Sequence, residues 1–536
     1  MSIEFVKHTE RKGFRVNITI RNRLASRKRQ IQRRLDKTRL GDCSQPILTA
    51  RNIHYDIAER ARGLAYGGIG AFHLLARKIG LIDAINNGLH LLKIHQPYHE
   101  SDHVLNIAYN ALCNGDCLQD IELRRNDAVF LDALGARRIP DPTTAGDFCR
   151  RFSVQHLDTL QDIFDDVRIG VWRGQPADFF AQAILDVDGS LVKTTGECKQ
   201  GMDIAYNGVW GYHPLVVTLA STREVLRIVN RPGNRPSHEG ASDALDRAIA
   251  TCRRGGFHKI LLRGDTDFSQ TEHLDRWHQD GVRFIFGYDA KPNLVDIAEA
   301  LPERVYKPLE RPPRYQPLTG TRQRPDNVKD QIVRQRGFET LRLQCEDIAD
   351  WDYQPHACGQ SYRLIILRKN ISKEKGETRL LDEIRYFFYL TNDWSSEAQQ
   401  IVLAHERDGK RIEPTHGANG RCHQENLIQQ LKNGMHALTA PVDNLESNWA
   451  YMVMTALAWN LKAWAALTLP EKPGRWQEKH RAEKLWLLGL EFKAFVNTLV
   501  AIPCQIIRQA RRLLFRVLAY HPRQAIFFRL VDALRC

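Results

Sequence analysis

Ile184-Leu185-Asp186-Val187-Asp188-Gly189-Ser190 runs five apolar and acidic residues into a glycine, and Ile260-Leu261-Leu262-Arg263-Gly264-Asp265 again carries an apolar run to an acid 76 residues on. In each, an apolar run of strand length ends at a carboxylate. Asp186 and Asp188 are two apart and share one strand face. Asp267 competes with Asp265 as the acid following the second run. A third stretch, Arg421-Cys422-His423-Gln424-Glu425-Asn426-Leu427-Ile428-Gln429-Gln430-Leu431-Lys432-Asn433, has helical spacing. Arg421, Glu425 and Lys432 fall on roughly one helix face, and Leu427, Ile428 and Leu431 supply the apolar side. Acids at two strand ends plus one from a distant helix make an oxygen-rich pocket for Mg²⁺ or Mn²⁺. Two such ions serve phosphodiester chemistry by activating a nucleophile and stabilising the leaving oxygen. Taken singly, each stretch also has a plain structural reading, as turn-forming acids or an i,i+4 ion pair.

Strand-like runs surround the first two acids. Ala183–Val192, Gly211–Ala220, Glu224–Val229, Lys259–Arg263 and Arg283–Gly287 read as five strands, with helices at about 237–254 and 270–280. Three strands in a meander followed by strand–helix alternation is a mixed α/β order. The intervening stretch from Tyr306 to Arg336 carries five prolines and eight Lys/Arg against three acids, which reads as an irregular basic loop. Strand-like runs around Leu341, Ile365 and Phe387 follow and predict a small antiparallel sheet packed as a unit of its own.

The chain of 536 residues has 43% hydrophobic residues, which excludes wholesale disorder and allows several domains. Its net charge of +14 is concentrated at the ends. Residues 1–40 carry a local +10 and residues 501–536 a local +6, leaving about −2 between them. Basic ends around a near-neutral body suit a polyanionic partner, with Arg27 and Arg29 in a helix that meets phosphates. Arg322 and Arg324, in the basic loop, are further DNA-binding candidates. Trp210 and Trp394 are candidates for stacking on an unpaired base. Eleven cysteines without a paired framework predict no structural zinc site and fit a reducing cytoplasm. Arg11, Lys12 and Arg15 interrupt any secretory apolar segment, and the most apolar run, Trp449 to Leu467, contains Asn460 and Lys462, so no membrane partner is expected.

These residues resemble the DDE transposases of bacterial insertion sequences, of the insertion sequence 1380 type related to the insertion sequence 4 group. The resemblance spans about residues 65–465. It includes Asp188-Gly189-Ser190, Gly211-Tyr212-His213-Pro214-Leu215, Arg231-Pro232-Gly233-Asn234, Arg263-Gly264-Asp265, Leu390-Thr391-Asn392 and Glu425 to Asn433. The family's Y-x2-R-x3-E-x6-K pattern maps onto Arg421, Glu425 and Lys432, with Ala418 where a tyrosine is expected. The resemblance implies Asp188, Asp265 and Glu425 as catalytic, metal-holding residues, preferring Asp188 to Asp186, with Arg421 and Lys432 holding phosphates. It also implies a ribonuclease H-like core interrupted by a β-rich insertion.

The expected architecture is thus α/β and multidomain. It comprises a basic arm (1–60), a helical DNA-binding region (61–170), a ribonuclease H-like core with a mixed five-stranded sheet (171–290 and 394–500), a β-rich insertion (291–393) and a basic helical tail (501–536). The expected activity is cleavage of double-stranded DNA at terminal inverted repeats and joining of the 3′-hydroxyl ends to target DNA, by a homodimer on paired ends, in the cytoplasm at the nucleoid. The rivals are a nuclease that cuts without joining and a non-catalytic DNA-binding remnant. A strand-transfer assay separates the first rival, and metal-dependent cleavage dismisses the second.

Overall fold

The computed structural model describes residues 19–34, 36, 50, 53–55, 61–311, 327–403, 406–407, 410–411, 417–509 and 512–535. The chain divides into two compact units, one formed by Phe148–Ala463 and the other by Met1–Asp147 with Trp464–Cys536. This partition differs from the expected one. Helix α1 (Val154–Trp172) falls in the unit that holds the acidic motifs, where its buried Arg168 reaches strand residue Glu224.

The Phe148–Ala463 unit is built on a nine-stranded sheet. Its core strands are β1 (Ala183–Gly189), β2 (Leu215–Leu219), β3 (Glu224–Val229), β4 (Ile260–Gly264) and β5 (Val282–Tyr288). In space they run β3-β2-β1-β4-β5. The first three form an antiparallel meander, while β4 lies parallel to β1 and β5 parallel to β4. A central strand covered on both faces reads as a continuous apolar run, and residues 183–187 of β1 are all buried. Helix α2 (Ala241–Gly255) forms the crossover between β3 and β4. Ala241, Ala244, Leu245, Ala248, Ile249 and Cys252 recur at helical spacing and are buried, which fixes the face that lies on the sheet. Gly256, at φ +99°, ends it, with Gly256 N–H donating to Arg253 O and Phe257 N–H to Cys252 O. Helix α3 (Thr271–Gln279) precedes β5.

All five expected core strands are present, but the sheet does not stop at five. Strands β6 (Glu339–Tyr353), β7 (Tyr362–Lys375) and β8 (Thr378–Thr391) form an antiparallel meander whose last four residues, Phe388–Thr391, pair with Tyr288–Ile285 of β5. The short strand Lys307–Pro308 completes the far edge. The insertion is therefore an extension of the core sheet, where a separately packed unit was expected. The apolar cluster explains why: Ile184, Leu261 and Ile285 of the core share one buried cluster with Ile348, Ile365 and Leu367 of the insertion. Splitting them would expose that surface to water at about 25 cal/mol per Å². Side chains lock the junction further. Tyr362 donates to Asp275 Oδ1 at 2.6 Å, and Asn392 accepts from Phe284 N–H while donating to Val282 O.

The basic stretch 306–336 is not wholly irregular, since Val328–Gln335 is an α-helix capped by Asn327. In the other unit the expected helical tail begins instead as a hairpin, Cys504–Gln509 with Arg512–Val517. It pairs with Gly63–Leu64, and only Gln524–Arg535 is helical. Ile506 and Leu513 belong to runs that alternate in burial, a period of two that a helix cannot satisfy. The other regular elements among the described residues of this unit are helices, including Ile69–Lys78, Leu81–Gly88 and Glu100–Leu112. Among the described residues, no helix is long and apolar enough to cross a membrane.

Candidate active site

β1 and β4 run side by side and end together. Their parallel register sets Asp186 beside Arg263, and two residues further along each strand come Asp188 and Asp265. Asp188 is the penultimate residue of β1. Asp265 leaves β4 and caps the one-turn helix Thr266–Phe268, accepting from Asp267 N–H at 3.1 Å. Glu425 comes from helix α4 (Cys422–Gln429). Gln424, buried beside it, pins this helix to the sheet by donating from Nε2 to the carbonyls of Asp186 and Val216, both at 2.9 Å.

The three acids meet around one cation. Arg421 Nη1 lies 3.0 Å from Asp188 Oδ2 and 4.0 Å from Asp265 Oδ2, and its Nη2 lies 3.4 Å from Glu425 Oε1. Burial decreases the solvation of the innermost acid. It pushes the Asp188 carboxyl up to about 6, against the pull of Arg421 and with the repulsion of Asp265 adding to the rise. The Asp265 carboxyl is raised for the same reasons, burial first, with Arg421 opposing it. An all-oxygen set of three carboxylates gathered about a positive charge is the donor chemistry of Mg²⁺ or Mn²⁺, so the residues suit a divalent cation in donor type.

Asp186 is excluded from that role by its partner. Arg263 grips it bidentately, Nε to Oδ1 at 2.7 Å and Nη2 to Oδ2 at 2.8 Å, with both side chains almost fully buried. Arg263 also donates to Gly417 O at 2.9 Å, tying the strand to the segment that leads into Arg421. The sequence alone did not assign either Gln424 or Arg263 a part in the site. The signal available was the position of each next to a motif acid.

Arg421, Glu425 and Lys432, expected on one helix face, occupy three successive kinds of turn. Arg421 ends the 3₁₀ turn Ala418–Arg421, Glu425 is α-helical, and Lys432 falls in the π-helical stretch Gln430–Gly434. Such widened turns occur often at functional sites. Lys432 Nζ lies 2.7 Å from Leu191 O and 3.2 Å from Ser190 Oγ, three and two residues past Asp188. Ala418 packs against the apolar cluster that contains Ile184 and Leu261. The position where a tyrosine was expected is thus turned to the core in this chain.

The remaining family motifs build the floor of the site. Gly189 is required by close approach, because a Cβ there would lie 2.7 Å from His213 Nε2. The ring of His213 is held by Arg235 O at 3.1 Å, and burial pushes its pKa down. Buried Arg231 donates to the carbonyls of His213, Pro236, Ser237 and Glu239, which ties the loop to the strand end. Trp210 and Trp394, proposed as base-stacking residues, are about half exposed, at 51% and 53%.

The peripheral candidates fare differently. Arg27, on the helical segment 19–34, donates from Nη1 to Val517 O and Ala519 O, so part of its donor capacity is committed within the protein. Arg29 is exposed. Arg322 and Arg324 lie outside the described residues.

The raised Asp188 carboxyl makes a pH prediction. Its folded pKa of about 6 lies above the ordinary 3.8, so the folded protein binds this proton more tightly than the unfolded chain. Its contribution to stability is therefore fully present below about 3.8 and is lost as pH rises through about 6. A divalent ion held by Asp188 would compete with the proton for the same oxygens. Apparent Mn²⁺ affinity, read by calorimetry, should rise up to about tenfold per pH unit below 6 and flatten above it. A flat profile from pH 5 to 7 would show that Asp188 holds no metal.

A profile of the family described as Transposase DDE domain group 1 matches residues 64–536. No curated protein matches the chain. Among solved structures, the chain is similar to a piggyBac transposase synaptic complex with hairpin DNA seen by cryo-electron microscopy, with 11% identity and a TM-score of 0.31 over 81% of this chain and 82% of that one.

Proposed function

Because the chain belongs to the DDE-domain transposase family, group 1, we propose that it cuts double-stranded DNA at the ends of a mobile element and joins the freed 3′-hydroxyls to target DNA. The observation that carries this reading is the meeting of Asp188, Asp265 and Glu425 at one guanidinium. The strand order β3-β2-β1-β4-β5, with a meander followed by two parallel strands, supports a ribonuclease H-like core. The motif run from Glu425 to Asn433 favours the insertion sequence 1380 type.

In this reading Asp188, Asp265 and Glu425 would hold two Mg²⁺ or Mn²⁺ ions. When bound, the ions supply activation of the attacking oxygen and neutralisation of charge on the phosphodiester. The chain's own residues do the rest. Arg421 balances the acids in the metal-free protein, and its planar guanidinium suits bidentate contact with a phosphate oxygen pair once the acids have other cations. Lys432 is half-buried, with its pKa lowered by burial, and stands beside Ser190 where a flanking phosphate would pass. Arg263 holds Asp186 by two hydrogen bonds, which anchors the strand bearing Asp188. Gln424 fixes the depth at which Glu425 enters. Two ends must be held together before joining, so the acting form is a homodimer on paired ends.

The test is strand transfer. A DNA duplex carrying the element's terminal repeat with a free 3′-hydroxyl, incubated with the protein, Mn²⁺ and a supercoiled plasmid, should yield covalently joined circles. End cleavage with no joined product under any divalent metal would favour the plain nuclease. No cleavage at all, with DNA binding intact, would favour a non-catalytic remnant.

A further inference from the structure

Far along the chain from the acid triad, three potential ligands gather where the segment after helix Leu81–Gly88 enters helix Glu100–Leu112. Glu100, at the first position of that helix, has a side chain only 1% exposed. Its Oε1 accepts the backbone N–H groups of Leu91 (3.1 Å) and Leu92 (3.0 Å), which folds the segment back around the carboxylate and favours its anionic form. Its Oε2 lies 3.0 Å from His95 Nε2. The His99 ring stacks on that of His95, with centroids 4.6 Å apart and planes at 16°. One ligand atom from each of the three side chains lies within 4.8 Å of the others. Among the described residues, this is the one cluster of histidine, cysteine or acid groups that meets that spacing.

We propose that His95, His99 and Glu100 bind a divalent transition-metal ion of the zinc class. Two imidazoles and one carboxylate are a borderline donor set that prefers Zn²⁺ to Mg²⁺, in contrast to the all-oxygen triad. One carboxylate oxygen meets the imidazole, while the other is anchored by two backbone donors, the outer contact that orients a metal ligand. His99 also caps the helix, its backbone N–H donating to Asp102 Oδ2 at 2.9 Å, which fixes the position from which its ring would ligate. The site also has a consequence nearby. The intervening Pro97 and Tyr98 line a groove with His73, Asn106, Tyr109 and Arg138, and Tyr98 donates to Ile139 O at 3.0 Å. A metal on His95 and His99 would brace the groove wall from both sides of Tyr98.

The full-length protein, stripped with a chelator, is dialysed against zinc with excess Mg²⁺ present to occupy the acid triad. Bound zinc is counted for the wild type and for His95→Ala, His99→Ala and Glu100→Gln. The wild type should carry one zinc more per chain than each variant, with affinity in the variants weaker on the order of a hundredfold. Co²⁺ should give the visible absorption of a tetrahedral site in the wild type alone. Zinc should also raise the melting temperature of the wild type and leave that of the variants unmoved, each read against its own metal-free protein. Equal zinc content and affinity in all four proteins would overturn the proposal. So would a loss in His95→Ala with none in His99→Ala, which would reduce the cluster to a Glu–His pair.

Discussion

Asp188→Asn, Asp265→Asn and Glu425→Gln, each alone, should lower end cleavage by roughly a thousandfold or more, the size expected when several kcal/mol of metal-borne transition-state stabilisation is removed at 1.36 kcal/mol per decade. The expectation rests on all three carboxylates lying within 4.0 Å of Arg421. Each substitution preserves shape and removes one negative charge, so the fold should persist. Binding to terminal-repeat DNA should hold or tighten, because fewer acids repel the phosphates. Cleavage is measured on a labelled duplex in Mg²⁺ and in Mn²⁺, and binding by mobility shift. If any one variant kept a tenth of the wild-type rate, that residue would not belong to the triad. Asp267→Asn is the internal comparison, because Asp267 is exposed and contributes its backbone N–H, not its carboxylate, to Asp265. It should cleave within a few-fold of wild type.

Asp186→Ala should fail for a different reason, by unfolding. Its carboxylate and Arg263 form a two-bond pair with side chains 2% and 1% exposed. Removing one partner of such a pair strands a buried charge and costs about 3–5 kcal/mol, a large part of the roughly 5–15 kcal/mol margin of a typical domain. The measurement is urea or thermal denaturation of the purified variant, followed by circular dichroism. The double variant Asp186→Leu with Arg263→Met removes both charges and should recover much of the loss, because no unpaired ion remains. An Asp186→Ala protein as stable as wild type, yet inactive, would move Asp186 from the scaffold into the chemistry. The two aspartates of one strand are thus separable by experiment: one variant loses turnover with its fold intact, and the other loses its fold.

How much of this was readable beforehand follows from what each signal encodes. Strand and helix identity in the core was legible because burial imposes a period: the short apolar runs at Ile184 and Leu261 read as strands, and the spacing within 237–254 reads as a helix, as the structure has them. The resemblance picked Asp188, Asp265 and Glu425, and the family profile agrees with it at the level of the DDE transposases. Extent and partnership were not legible. Periodicity marks that Phe387-Phe388-Tyr389-Leu390 is a strand, but not that its end pairs with Tyr288, so the insertion read as a separate unit when it continues the sheet.

Sequence by itself determined which residues alternate, which cap, and which acids stand at strand ends, because those follow from local sterics and from one chain neighbour after another. The tertiary structure alone decided that Asp186 pairs with Arg263 while Asp188 meets Arg421, 233 residues away. It alone turned Ala418 to the core. Those outcomes depend on which charges desolvate together and which surfaces exclude water together. Burial and pairing are properties of the closed fold, and no window along the chain contains both members of such a pair.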